Sequence, residues 1–213
     1  MSWSKKRLKD ANLYLILDTD VLSYKGLLQV LKPAVRSGVD IVQLRDKKSS
    51  AKEILEFCHH IKAITKGRAL FIVNDRVDLS ILAGADGVHL GQEDISYIQA
   101  RKLMGPKAII GVSCQKLDQA KAAQRAGVDY IGFGSIFKTL TKPQRQSMDL
   151  QLFKTVIQTI QIPVFPIGGI SRANVRQLTQ LGTRRAAVCR DVLLAQDPGK
   201  AVRELKSELT LNG

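Results

Sequence analysis

Two carboxylates, set one crossover apart, are the first residues in this chain whose types and spacing point to chemistry. Leu70-Phe71-Ile72-Val73 runs into Asn74-Asp75, and Gly87-Val88-His89-Leu90 runs into Gly91-Gln92-Glu93-Asp94. Each apolar run has the length of a short strand, and residues 76–85 between them suffice for one short helix. Strands joined by such a helix lie parallel, so Asp75 and Asp94 leave the sheet at the same edge. Two carboxylates there, beside amides and basic groups from other strands, can hold a hard divalent cation such as Mg²⁺. The competing reading is that each Asp only caps the helix that follows it.

Cations and glycines occupy comparable places elsewhere. Gln43, Arg45 and Lys47 alternate, so in an extended strand their side chains share one face. Facing the inside of a barrel, a basic side chain is costly unless it meets an anion. Gly168-Gly169 follows the apolar run 163–167 and precedes Ser171 and a helix start, a pattern that lets backbone N–H groups approach a phosphate. Thr139, Thr141, Lys142 and Arg145 lie in a polar loop, Ser113 follows a fifth apolar run, and Arg190 follows an eighth. His89 reads as a packed, hydrogen-bonded histidine at a strand end. His59 and His60 fall inside a helix, and Cys114 and Cys189 have no evident basic partner that would make a reactive thiol.

The elements that must position these groups alternate along the whole chain. Strands are expected at 13–17, 40–44, 70–73, 87–90, 108–112, 130–133, 163–166 and 185–189. Helices are expected at 26–37, 50–66, 77–82, 95–104, 117–125, 149–159, 173–180 and 198–209. Eight such units without a break in composition predict a single (β/α)₈ barrel over residues 1–213, with 1–11 as a basic N-terminal extension. A doubly wound open sheet is the alternative. In a barrel, chemistry sits where the strands end and the following loops begin, which is where the residues above, His59 and His60 apart, fall.

Composition narrows the function. The 213 residues carry 33 Lys and Arg against 19 Asp and Glu, a formal charge of +14 that attracts phosphorylated small molecules or nucleic acid. Aromatic residues make up only 5%, too few for base-stacking platforms, which disfavours nucleic acid. No apolar run has the ~18 residues of a membrane span, and the basic N-terminus lacks an apolar signal core. Cys58, Cys114 and Cys189 are widely separated, against a zinc site or a disulfide framework. Together these features predict a cytoplasmic protein, with a homo-oligomer left open. Walker-type, dinucleotide-binding and nucleophile-elbow motifs are all missing from the sequence.

Seven motifs, in order and each at a strand end, carry a resemblance. They are Gln43-Leu44-Arg45-Asp46-Lys47, Asn74-Asp75-Arg76, Asp86-Gly-Val-His-Leu-Gly-Gln-Glu-Asp94, Gly111-Val112-Ser113, Tyr130-Ile-Gly-Phe-Gly134, Thr139-Leu140-Thr141-Lys142 and Ile167-Gly168-Gly169-Ile170. Over roughly residues 13–195 the chain resembles the thiamine phosphate synthases. The resemblance implies a barrel enzyme that joins a hydroxymethylpyrimidine diphosphate to a thiazole phosphate and releases pyrophosphate with Mg²⁺. It implies that Gln43 contacts the pyrimidine with Ser113 nearby, that Arg45, Lys47, Asn74 and Lys142 hold the diphosphate, and that Leu44 and Asp46 also bind this substrate. It places Mg²⁺ on Asp75 and Asp94. Thr139, Leu140, Thr141, Gly168, Gly169, Cys189 and Arg190 would receive the thiazole phosphate. Arg45, Lys47, Ser113 and Lys142 are the residues expected to act on the reaction itself.

The chain departs from the resemblance at three positions. Ser135 and Lys138 stand where prolines are common, and Arg190 stands where a serine is common. The related thiazole tautomerases fit less well, because Gln115 stands where they carry a histidine and they have no use for paired acids. A non-catalytic polyanion binder would gain nothing from two buried carboxylates.

Overall fold

The alternating apolar runs form parallel strands, each followed by at least one helix. The computed structural model describes residues 3–138 and 147–210. Among these the strands are β1 (Leu13–Asp18), β2 (Ile41–Arg45), β3 (Leu70–Asn74), β4 (Gly87–Leu90), β5 (Ile109–Cys114), β6 (Tyr130–Phe133), β7 (Val164–Pro166) and β8 (Ala186–Val188). Hydrogen bonding runs β7-β6-β5-β4-β3-β2-β1-β8, and a parallel bridge between Ile167 and Ala187 joins the two ends. The sheet is therefore a barrel, and the open-sheet alternative falls.

Strand alternation sorts the side chains into two shells. Leu13, Leu15 and Leu17 face outward into the layer shared with the helices. Tyr14 and Ile16 face inward and pack with Ile41, Leu70, Ile72, Ile109, Tyr130 and Phe165 in the lumen. This apolar lower lumen leaves only the upper end, at the C-terminal edges of the strands, for polar groups.

The helices are α1 (Trp3–Asp10), α2 (Tyr24–Arg36), α3 (Ala51–Thr65), α4 (Val77–Leu82), α5 (Tyr97–Met104), α6 (Leu117–Ala126), α7 (Leu150–Thr159), α8 (Val175–Thr179), α9 (Arg190–Leu193) and α10 (Pro198–Thr210). Ser50 with Glu53 and Ser96 with Gln99 close capping boxes on α3 and α5, so these helices start where their local sequence dictates. The four residues of α9 are too few to show a helical period, and the sequence gives no sign of them.

A recurring aspartate stitches the bottom of the barrel. Asp40 Oδ2 accepts the Leu13 amide at 3.0 Å, Asp86 Oδ2 the Phe71 amide at 2.9 Å, and Asp129 Oδ2 the Ile110 amide at 2.8 Å. Each therefore ties the start of β2, β4 or β6 to the strand before it. The basic N-terminal extension is also part of this base. α1 drops Leu8, 3% exposed, against the lower lumen, while Lys5 reaches Asp129 at 2.9 Å and Ser4 reaches Asp86 at 2.8 Å.

Candidate active site

A cavity of about 820 Å³ opens at the C-terminal mouth of the barrel, a volume suited to a small-molecule ligand. One wall is acidic. β3 ends in Asp75, whose φ of 61° puts a non-glycine residue in the left-handed region, where strain is stored. Its amide donates to His89 O at 2.8 Å, which fixes this turn against β4. The Asp75 carboxylate lies within hydrogen-bonding reach of Asp94, and Lys47 Nζ stands 3.1 Å from Asp75 Oδ2. Burial and then the neighbouring Asp94 raise the Asp75 carboxyl above its ordinary value, against the opposing pull of Lys47. Asp94 Oδ2 accepts the Gly91 amide at 2.6 Å. Neither acid is a helix cap: Arg76 holds the cap position of α4 without a side-chain bond, and Ser96 caps α5.

A second wall carries Arg45, the cation that ends β2. Arg45 Nη1 lies 2.9 Å from Asp18 Oδ1 and 3.0 Å from Asp20 Oδ2, so the anion it meets here belongs to the protein. Asp18 is fully buried, and its Oδ2 has no hydrogen-bond partner among the described residues. Held at one nitrogen by two acids from the end of β1, the guanidinium is fixed in direction at the cavity wall.

The third wall is built around the glycine pair. Gly168 and Gly169 have φ values of 103° and 63°. A Cβ at Gly168 would lie 2.0 Å from Ser135 Oγ, and one at Gly169 would lie 2.3 Å from Lys138 O. Only glycine allows the chain to turn here against the end of β6. Arg190 opens α9 beside this turn, and its Nε is buried without a hydrogen-bond partner among the described residues. Burial pushes the Cys189 thiol up to about 12, as it does Cys114, so neither is a thiolate at neutral pH.

The family model described as thiamine monophosphate synthase matches residues 13–192. The chain belongs to this family. It is 39% identical over 197 residues to a thiamine-phosphate synthase of Clostridium tetani, covering 92% of this chain and 94% of that protein. It is 40% identical over 214 residues to a thiamine-phosphate synthase of a Synechococcus strain, but spans only 59% of that protein's length. A solved thiamine phosphate pyrophosphorylase of Pyrococcus furiosus superposes with a TM-score of 0.85 at 32% identity, covering 96% of each chain. A 3-hexulose-6-phosphate synthase, at 19% identity and a TM-score of 0.70, shares the fold.

Within this family member, Gln43, Arg45, Lys47, Asn74, Asp75, Asp94, Ser113, Gly168, Gly169, Cys189 and Arg190 all line the one cavity. Leu44 and Asp46 do not. Alternation turns Leu44, 1% exposed, into the outer shell. Asp46 instead holds the β2–α3 loop, accepting from the Lys48 and Ser49 amides at 2.9 and 3.0 Å and from the Tyr24 hydroxyl at 2.6 Å. Thr139, Leu140, Thr141 and Lys142 lie outside the described residues. Sequence reasoning gave no role to Tyr14 or Tyr130, whose hydroxyls meet at 2.9 Å on the floor of the cavity. Their one signal was a polar atom on the inward face of an apolar strand.

Proposed function

We propose that this chain, as one barrel domain in the cytoplasm, couples a hydroxymethylpyrimidine diphosphate to a thiazole phosphate and releases pyrophosphate. The observation that carries this reading is the layout of the cavity. The close acids Asp75 and Asp94 stand with Lys47 and Arg45 on one side, and the glycine turn with Arg190 stands on the other. One phosphorylated ligand can occupy each side, with their reacting ends between them.

The acid pair fits a divalent ion. Two carboxylates within hydrogen-bonding reach repel when both are charged, and a cation between them relieves that repulsion. Among the described residues no group of three or more His, Cys, Asp or Glu converges, so this acid pair is the most that they offer Mg²⁺. That ion commonly takes one or two carboxylates and completes its shell with water and phosphate oxygens. When bound, Mg²⁺ supplies positive charge to the departing pyrophosphate.

The remaining work falls to the chain's own groups. Lys47 and Arg45 stand ready to meet the charge that grows on the diphosphate as its C–O bond breaks. The electron pair of that bond leaves with pyrophosphate, and the amino-substituted pyrimidine shares the positive charge left on the methylene carbon. The thiazole nitrogen then donates its lone pair to that carbon, closing the new C–N bond. No proton has to move, which accords with a site of acids, cations and hydroxyls and no thiolate. Arg190 and the Gly168-Gly169 turn hold the thiazole phosphate so that its nitrogen faces the carbon, and the gain is one of positioning.

The test is incubation of the purified protein with both substrates and Mg²⁺, following the product by thiochrome fluorescence after oxidation. Product formation that needs all three components is expected. No product under these conditions overturns the reading.

A further inference from the structure

At the floor of the cavity an unbroken line of hydrogen bonds crosses the lumen. Gln43 Nε2 donates to the Tyr14 hydroxyl at 2.7 Å, and the Tyr14 and Tyr130 hydroxyls are 2.9 Å apart. The Tyr130 hydroxyl lies 3.0 Å from His89 Nδ1, and His89 Nε2 lies 2.9 Å from Ser113 Oγ. Five strands contribute one residue each. The barrel makes room for this line: a Cβ at Gly111 would stand 2.0 Å from the Tyr130 ring, and one at Gly132 would stand 3.2 Å from His89 Cε1. Phe165 packs edge-on to both tyrosines, at 5.5 and 5.7 Å. Burial raises both phenols above their ordinary range, so each keeps its single proton.

One proton per hydroxyl gives the line a direction. An amide nitrogen can only donate, so Tyr14 accepts from Gln43, and its own proton meets a partner only if it is given to Tyr130. Tyr130 then gives its proton to His89 Nδ1. A neutral imidazole that accepts at Nδ1 carries its hydrogen on Nε2, and that hydrogen points at Ser113 Oγ. The Ser113 proton has no role in the line and is left for the cavity. At the other end the Gln43 amide oxygen has no hydrogen-bond partner among the described residues.

We propose that Tyr14, Tyr130 and His89 are positioning residues that set the polarity of the ring subsite, with an acceptor at Gln43 Oε1 and a donor at Ser113 Oγ. This deepens the function proposed above and rests on it for the identity of the ring. A ring that turns an amino group to Gln43 Oε1 and an unprotonated nitrogen to Ser113 Oγ matches this polarity. A ring with an oxo group beside a ring N–H presents the reverse pattern and leaves both protein groups facing like partners.

The first test needs no substrate. The chain has three histidines, and ¹⁵N NMR of the unliganded protein is expected to show His89 neutral with its proton on Nε2. A proton on Nδ1, or on both nitrogens at neutral pH, overturns the polarity. The second test is a double-mutant cycle on coupling activity. Tyr130→Phe is expected to lower kcat/KM for the pyrimidine diphosphate about tenfold and to weaken discrimination against the 4-oxo analogue. In a Ser113→Ala background the same change is expected to cost less than about twofold. Equal losses in both backgrounds overturn the proposal, and Tyr14→Phe runs the same cycle should Tyr130→Phe fail to fold. A wild-type protein with no coupling activity overturns the proposed function instead, and the NMR result then decides the polarity alone.

Discussion

Asp75 combines three unfavourable conditions: a left-handed backbone, partial burial, and a second carboxylate at close range. Asparagine tolerates the same backbone and removes the repulsion. Asp75→Asn is therefore expected to keep or raise the melting temperature while lowering coupling activity by about 10²–10³-fold. Mg²⁺ is expected to raise the melting temperature of the native protein by mass action and to leave that of Asp75→Asn unmoved. Thermal unfolding with and without the ion checks both. At this scale the sequence was informative for side chains that alternate along a strand: Gln43, Arg45 and Lys47 do share the cavity wall. It was silent on pairings made only in three dimensions, such as Arg45 with Asp18 or Tyr14 with Tyr130, the latter 116 residues apart.

Elements are held by acids with different exposures to pH. Asp46 anchors the loop between β2 and α3. Burial acts to raise its carboxyl, but the Ser49 amide, the Tyr24 hydroxyl and the Lys48 amide outweigh that and leave it below its ordinary value. A depressed carboxyl contributes stability above its unfolded pKa, and the contribution is lost as pH falls through the folded value. The Lys48 and Ser49 amides are accordingly expected to lose hydrogen-exchange protection in acid below the ordinary carboxylate range, before β2 itself opens. Asp129 carries a larger share, since it accepts from the Ile110 amide and pairs with both Arg101 and Lys5. Asp129→Ala takes this acceptor from the Ile110 amide and one partner each from Arg101 and Lys5, and is expected to cost about 2–4 kcal/mol in urea unfolding. The repeated glycine and aspartate before strands were visible in the sequence as turn chemistry. That each aspartate reaches back to the preceding strand was not, because the bond depends on how the two neighbouring strands pair. α1 was likewise hidden: in a charged stretch only Leu8 reports the helix's contact with the lumen.

Across the whole molecule the strand-to-strand joins are unequal. β1 and β2 are in register over five residue pairs, from Tyr14–Ile41 to Asp18–Arg45, whereas β7 meets β8 through the Ile167–Ala187 bridge. Native-state hydrogen exchange is expected to be faster for amides of β7 and β8 than for those of β1 and β2. The glycine turn stands on one lip of this weak seam and Arg190 on the other. A phosphate gripped from both lips at once would act as a clasp on the cylinder, supplying the rung that the backbone omits. The acceptor half of the cavity would then be loose when empty and fastened by its own cargo, with exchange at the seam slowing on addition of the thiazole phosphate alone.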